Sequence, residues 1–441
     1  VLIVALLVAA LLALVLGGYL SLNLGTARLS QRTFDRGAAF HLAEAGLEEG
    51  LWTYNRVVAD DPMAWEGWQL ADGAGWKRFD GFALTASTTG SVKVYAQPVS
   101  PSPESRPVVV ALASVQTPGS PPVTRMLEVS LRRRSFFSAG LVAREGLAFR
   151  GANTFFDAWD SDPDQDPATP PVPYSEAVRL DTGTIATGAR RAADLDLGKA
   201  QIHGYLITRG LDPVITEPGF IGSLAASSGD IDPSRVGRHY NDGFPVISAP
   251  TGGTFIESPG ATLGTPGRAT SWRTPSLRLS ARQTLTILGD VTLVLTDPVD
   301  ALSISGGGAI IIPEGSSLTL YAQGDVSIAG RGFVNENARP GALQIWSTAA
   351  PGGRRTQKFT LAGRGELSAL VYAPEADFDV TGNGQFFGSL IARRVTFAGN
   401  AAFHYDVALG RVNHHAPYRA SAWRTVDDPA RRAELLRLVD R

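Results

Sequence analysis

Positions 1–16 are all Val, Leu, Ile or Ala, and no Asp, Glu, Lys or Arg appears before Arg28. A helix of ~20 residues spans the ~30 Å hydrocarbon core of a bilayer, so this run has membrane length. Beyond Arg28 the pattern becomes two-faced: Phe40, Ala43, Leu47, Leu51 and Tyr54 recur at spacings of three and four, with Glu44, Glu48 and Glu49 between them. The spacing predicts one long helix over 1–56, apolar on every side at first and amphipathic later. An uncharged face of this size has nothing in its own domain to cover it, so it is expected in lipid or against other copies of the chain. Val1, Leu2, Ile3, Val4, Leu7, Leu11, Leu14 and Leu16 are the candidate core of such an association. Phe40, Ala43, Leu47, Leu51 and Tyr54 are the candidate docking side for the rest of the chain. Two adjacent glycines weaken a helix by ~1 kcal/mol each relative to Ala, so Gly17 and Gly18 predict a local stretch or kink on assembly.

After the helix, Trp65, Trp68 and Trp76 among glycines read as a loop packed on the helix flank. Runs at 82–98, 107–116 and 123–134 alternate or are β-branched, and proline-rich stretches separate them, so 57–135 is expected to be a small antiparallel β head. From 136 the texture changes to short apolar strands, Gly-Asn corners and repetition. Phe359 to Gly365 returns as Phe378 to Gly384, and Leu370-Val371-Tyr372-Ala373 returns as Leu390-Ile391-Ala392-Arg393. Leu141-Val142-Ala143-Arg144, followed by Phe149, Phe155 and Asp157, parallels Leu390-Ile391-Ala392-Arg393, followed by Phe397, Phe403 and Asp406. Further copies of the strand pattern lie at 204–209, 285–295, 301–313 and 318–328.

A repeat of about twenty residues with three short strands per turn predicts a stacked parallel β-solenoid over 136–410. Residues 210–275, rich in Pro, Gly and Ser, break the repeat and are expected to project as an insertion, with Trp272, Tyr240 and Phe244 as contact groups. The tail, 411–441, ends in a short helix with Asp427 and Asp428 at its cap, Pro429 in its first turn, and Leu435, Leu436 and Val439 on one side. It is expected to cover the open end of the solenoid. The fold class is therefore α+β: a long N-terminal helix with a small antiparallel sheet, followed by a large parallel β-helix.

At 441 residues the chain is long enough for two or three units. It has no cysteine, which excludes disulfides, thiolate metal sites and thiol catalysis. A formal charge of -2 gives no electrostatic reason to expect nucleic acid as a partner. Forty-eight Gly and 28 Pro against two Met fit a turn-rich, mostly β chain.

The apolar start followed by Ala38-Ala39-Phe40-His41-Leu42-Ala43-Glu44-Ala45-Gly46-Leu47-Glu48-Glu49 resembles the N-terminal helix of type IV pilins, in particular the PilX-like minor pilins. That resemblance covers about the first 56 residues and extends more weakly to Arg134. It implies a subunit processed by prepilin peptidase, held in the inner membrane, and then packed by the pilus assembly machinery with other pilin subunits into an extracellular filament. The chain opens directly on the apolar run without Met, which fits cleavage before the run. Gly25-Thr26-Ala27 also fits a small-x-small site whose cleavage would discard it. Many major pilins carry Glu at mature position five, where this chain has Ala5. Residues 136–410 resemble the β-helical domain found behind pilin-like N-termini in several bacterial surface proteins.

Asp157, Asp160, Asp162, Asp164 and Asp166 form the densest carboxylate cluster, and alternate Asp oxygens suit calcium, with Asp160, Asp162 and Asp164 as the candidate ligands. The turn glycine and closing Glu of a calcium loop are missing, so a solvated acidic loop is the favoured reading and calcium the alternative. His414 and His415 are adjacent and point to opposite faces of an extended chain, a poor joint metal site. His404, between Phe403 and Tyr405, reads as packing, and Gly306-Gly307-Gly308 as a turn, since no Lys-Ser/Thr follows. An enzyme reading would assemble Asp157, Glu176, Arg190 and Arg191 by analogy with β-helical polysaccharide lyases and hydrolases. The reading favoured is not an enzyme and needs no cofactor: a filament subunit whose outer domain serves display or adhesion.

Overall fold

Residues Leu2–Val58 form one unbroken α-helix, α1, in the computed structural model, which describes residues 2–58, 61–98, 106–133, 135–152, 154–166, 168–241, 243–363, 366–411 and 417–440. The chain divides into two units. One comprises Val1–Arg134 together with His415–Arg441, the other Ser135–His414.

In the first unit an antiparallel sheet follows α1: β1 (Gln69–Ala71), β2 (Ala74–Ala83), β3 (Thr89–Ala96), β4 (Val108–Gln116), β5 (Val123–Arg133) and, at its edge, Tyr418–Thr425. Alternation along the strands sends side chains to opposite faces, and both faces are covered. Val92 and Val94 of β3, Val109, Ala111 and Ala113 of β4, and Leu127, Val129 and Leu131 of β5 pack with Ala43, Leu47 and Tyr54 of α1. On the reverse face Tyr95, Val110 and Met126 pack with Val426, Leu435 and Val439. The last two belong to α2 (Pro429–Val439), whose N-cap is Asp428 and whose first turn holds Pro429.

The tail therefore does not cover the end of the repeat domain. It completes the head, because the alternate face of a central sheet cannot stay in water when Met126, Val110 and Tyr95 line it. Residues 57–135 are likewise not separable from the helix, since removing 1–56 would expose the Val92, Val109 and Leu127 face. A soluble piece must keep the second half of α1.

The tail is also held by charge. Glu128 of β5 is buried, and its Oε1 lies 2.5 Å from Arg431 Nη2 of α2 while its Oε2 lies 2.8 Å from Arg424 Nη2 of the edge strand. Burial alone would raise its pKa, but the two guanidiniums outweigh that and hold the carboxyl below its usual value.

The second unit is built mostly from parallel pairings between strands one to three places apart in the chain, and in its middle part a strand meets the one three places on. Asp290 to Leu295 pair with Ser317 to Ala322, Leu302 to Ile304 with Val326 to Ile328, and Ala309 to Ile312 with Gly332 to Asn335. The sequence repeats are ladder neighbours: Phe359 pairs with Phe378 and Gly363 with Gly382. Leu390, Ile391 and Ala392 pair with Leu141, Val142 and Ala143. One alignment shifts by a residue, because Val371, not Leu370, pairs with Leu390.

The order of one ladder differs from chain order. It runs from Thr262–Thr274 through Thr284–Leu295, Ser317–Ala322, Leu343–Ser347, Glu366–Gly382 and Gln385–Ala398 to Leu141–Phe149, Thr184–Thr187, Tyr205–Ile207 and Val236–Gly237. The first segment of the unit thus lies inside the stack. After Val236–Gly237 the chain must return to the far end, and it does so along an apolar stripe of Val294, Tyr321, Trp346, Tyr372, Ile391, Val142 and Ala186, which Tyr240, Phe244 and Ile247 cover. Residues 210–275 are therefore not a projecting insertion: Phe220–Gly222, Val236–Gly237 and Thr262–Thr274 are ladder strands. Trp272 packs against the core, and Tyr240 and Phe244 face inward, so none of the three is a free contact group.

Arg133 and Tyr418 are antiparallel partners, so the two ends of the head that flank the second unit are adjacent. Replacing residues 134–417 by a short turn is expected to leave a head that unfolds in one cooperative thermal transition. Ending the chain at Arg133 instead should cost about 3 kcal/mol or more through exposure of the Met126 face. A carboxylate with a depressed folded pKa contributes stability above its ordinary range and loses it as pH falls through the folded value. Glu128→Gln should lower stability by about 1–3 kcal/mol at neutral pH and flatten the acid limb of a urea-denaturation series run from about pH 7 to pH 3.

Candidate assembly face

Among the described residues nothing covers the first half of α1. Leu2, Ile3, Leu7, Leu11, Leu14 and Leu16 are exposed, Leu7 by 65% and Leu14 by 77%. Val1 and the side chain of Val4 lie outside the described residues. The helix is long and apolar enough to cross a membrane. Fully burying one such Leu or Val is worth about 1.5–3 kcal/mol, so a dozen on one rod supply a large driving force for association. Gly17 and Gly18 lie within the unbroken helix, and a Cβ at either would meet nothing within 4 Å. In the single chain these glycines make no close approach.

The second half docks. Ala43, Leu47 and Tyr54 are buried against the sheet, and Phe40 and Leu51 pack at its margin. Tyr54 also donates its hydroxyl to the Gln97 carbonyl. Burial pushes this phenol well above its usual pKa, with Tyr418 and Tyr95 adding to the shift.

The closest approach comes from residues that the apolar spacing alone does not single out. A Cβ on Gly50 would stand 2.5 Å from Val109 Cγ1, and one on Gly46 would stand 2.9 Å from Val92 Cγ2. Ala39, Ala43, Gly46 and Gly50 form a stripe of small residues at spacings of four, three and four, which is the signal that marks a close helix contact. Where the helix leaves the sheet, Asp35 is buried and accepts from Gln31 Nε2 at 2.9 Å and from Thr117 Oγ1 at 3.0 Å. Phe34, one residue earlier, is exposed. The covered and uncovered parts of the rod meet at this point.

Most of the carboxylate cluster of the second unit is satisfied from within, although Asp162 Oδ1 is buried without a hydrogen-bond partner among the described residues. Asp157 is fully buried: Tyr174 donates its hydroxyl to Oδ2 at 2.7 Å, Arg179 Nε lies 2.9 Å from the same oxygen, and His404 Nδ1 lies 2.6 Å from Oδ1. His404 stacks on Phe387 with ring centroids 4.7 Å apart. Asp160 is taken by the Arg411 guanidinium at 2.8 Å and 3.2 Å. Asp164 accepts from the Asp166 amide and the Thr169 hydroxyl, which hold its carboxyl below the usual range.

Among the described residues no three His, Cys, Asp or Glu side chains converge as a cation site requires. The calcium considered at Asp160, Asp162 and Asp164 finds no converging ligand set among the described residues: a guanidinium takes the first carboxylate and a turn takes the third. Nor do Asp157, Glu176, Arg190 and Arg191 share a partner. Asp157 is buried, the other three are exposed, and Arg191 turns to Asp194 at 2.8 Å. Gly306 and Gly307 form the turn between Asp300–Ile304 and Ala309–Ile312 with positive φ. His414 and His415 lie outside the described residues.

A family described as a domain of unknown function (DUF7305) matches residues 275–412. No curated protein matches the chain. Among solved structures, the DUF3494 domain of Shewanella frigidimarina ice-binding protein_1 is similar at 13% identity, covering 61% of this chain and 94% of that one, with a TM-score of 0.28. The competence-associated pilin ComZ from Thermus thermophilus is similar at 11% identity over 89% of this chain and 98% of that one, with a TM-score of 0.25.

Gly50→Val is expected to lower the melting temperature of the head in detergent, at a cost of about 1–3 kcal/mol, because Val109 has nowhere to move. Gly17→Ala with Gly18→Ala should leave that melting temperature unchanged or raise it, since both sites face open space.

Proposed function

We propose that this chain is a structural subunit of a type IV pilus-like extracellular filament and that it polymerises through the first half of α1. The observation that carries the reading is one rod with two environments. Up to Leu16 every residue is apolar, the described residues up to Ser30 are exposed, and from Asp35 onward the same helix is seated on its own sheet. A plain membrane anchor needs only the first half. The seated second half holds the head in a fixed orientation along the rod, which lets identical apolar halves bundle in register with the heads outside.

On this reading the apolar half lies in the inner membrane before assembly, after a prepilin peptidase has exposed its start, and moves into the filament core with the assembly machinery. The second unit is then a β-solenoid, supported by the parallel pairing of strands one to three places apart in the chain and by the cover along its Tyr321, Trp346 and Tyr372 stripe. Its role is display on the filament surface. The Asp157, Tyr174, Arg179 and His404 cluster pins the segment after Phe155–Trp159, and both oxygens of its buried carboxylate are engaged within it, which favours a structural role over catalysis.

Leu7→Asp or Leu11→Asp is expected to abolish filaments seen by electron microscopy of sheared surface material while leaving the melting temperature of the head unchanged. Each change would bury an unpaired carboxylate in the bundle, and the group has no partner there. Filaments of normal number and length from either variant would refute the proposal.

A further inference from the structure

Three arginines, Arg28, Arg32 and Arg36, recur every fourth residue on α1 and form one exposed stripe immediately after the apolar run. Among the described residues none of them has a carboxylate in ion-pair or hydrogen-bond reach. At 3.6 residues per turn this stripe lies on the side of the rod that, further along, carries Ala39, Ala43 and Gly50 against the sheet. The basic stripe therefore faces the head side, just below the head. A second stripe, Glu44 and Glu48, lies about 140° around the rod, on the back of the seated half. Glu48 is exposed with no partner among the described residues, and Glu44 has only His41 at 3.0 Å.

Within one chain the two stripes cannot meet, because they point to different sides and are separated along the axis. Between two parallel copies they can. A copy displaced along the axis by about 14 residues of helix, or roughly 20 Å, brings its basic stripe level with its neighbour's acidic one. The head side of one rod then faces the back of the next. That contact joins two different surfaces, so it repeats indefinitely and generates an open helical array rather than a closed pair.

Resting on the filament reading above, we infer that Arg28, Arg32 and Arg36 of one copy dock on Glu44 and Glu48 of a second copy of this chain and set the axial offset between neighbouring subunits. The apolar half supplies attraction without register, since Leu, Val and Ala side chains slide past one another at little cost. Charge confines the register to within about one helical turn of this value, because offsets well outside it leave the arginines and glutamates unmatched beside a low-dielectric core.

The test is a charge exchange followed by a chemical cross-link, both in the full-length chain expressed in cells whose unaltered chain makes filaments. Arg28→Glu, Arg32→Glu and Arg36→Glu together should cut filament yield at least tenfold, and adding Glu44→Arg and Glu48→Arg should restore most of it. The chain has no native cysteine, so Arg32→Cys with Glu48→Cys gives a clean second readout. A short bifunctional maleimide should turn assembled filaments into a ladder of covalent multimers, while the same treatment of Leu16→Cys with Glu48→Cys should not. Wild-type yield from the triple reversal, no recovery in the fivefold exchange, or no ladder from the Arg32 and Glu48 pair would each overturn the inference and leave the filament reading standing. If the unaltered chain forms no filaments, the filament reading itself falls.

Discussion

The rest of the structure depends on the mismatch between the length of α1 and the area of the sheet beneath it. A helix of 57 residues is about 85 Å long, whereas strands of eight to eleven residues support only its second half. The remainder is largely apolar and, among the described residues, has no element of its own chain to bury against. Burial of that half must come from outside the chain, and this constraint gives the exposed leucines, the buried Asp35 and the unpaired Arg stripe a common explanation. Each marks a different point on the passage from a covered rod to an uncovered one.

The head achieves its stability by using both faces of one sheet. On one face, Gly46 and Gly50 allow the helix backbone to approach Val92 and Val109 closely, which brings dispersion contacts that a larger residue would prevent. On the other, Val426 and α2, arriving late in the chain, close over Met126 and Val110, locked by Glu128 between Arg424 and Arg431. Their late arrival follows from topology. The second unit is inserted between two strands that pair directly, so it is tethered at both ends to neighbouring positions of the head sheet.

Inside the second unit the same nesting recurs. Its opening segment lies in the middle of the ladder, flanked by Gln385–Ala398 from the end of the unit and by Thr184–Thr187. A chain that starts in the middle must cross its own surface to reach the far end. The crossing segment is put to use, with Tyr240, Phe244 and Ile247 covering a stripe of aromatic and aliphatic side chains that would otherwise stand in water. The acidic loop beside Asp157 closes another part of the surface through ion pairs instead, with Asp157 taken by Arg179 and Asp160 by Arg411.

By itself the sequence determined whatever depends on local period. A run without charge is membrane length whatever follows, spacings of three and four give the docking side of α1, and alternation gives β4 and β5 nearly to the residue. The repeats of the second unit were legible for the same reason: Phe359 and Phe378, and Leu141 and Leu390, look alike because they occupy equivalent places in one ladder. Only the tertiary structure decided which surfaces meet. That α2 belongs to the head, that residues 238–253 run along the ladder instead of projecting, and that Asp160 serves Arg411 rather than a cation all depend on partners hundreds of residues away or on the far side of a sheet. Period records which side of an element is apolar; it carries no information about which of several apolar or charged surfaces will cover that side.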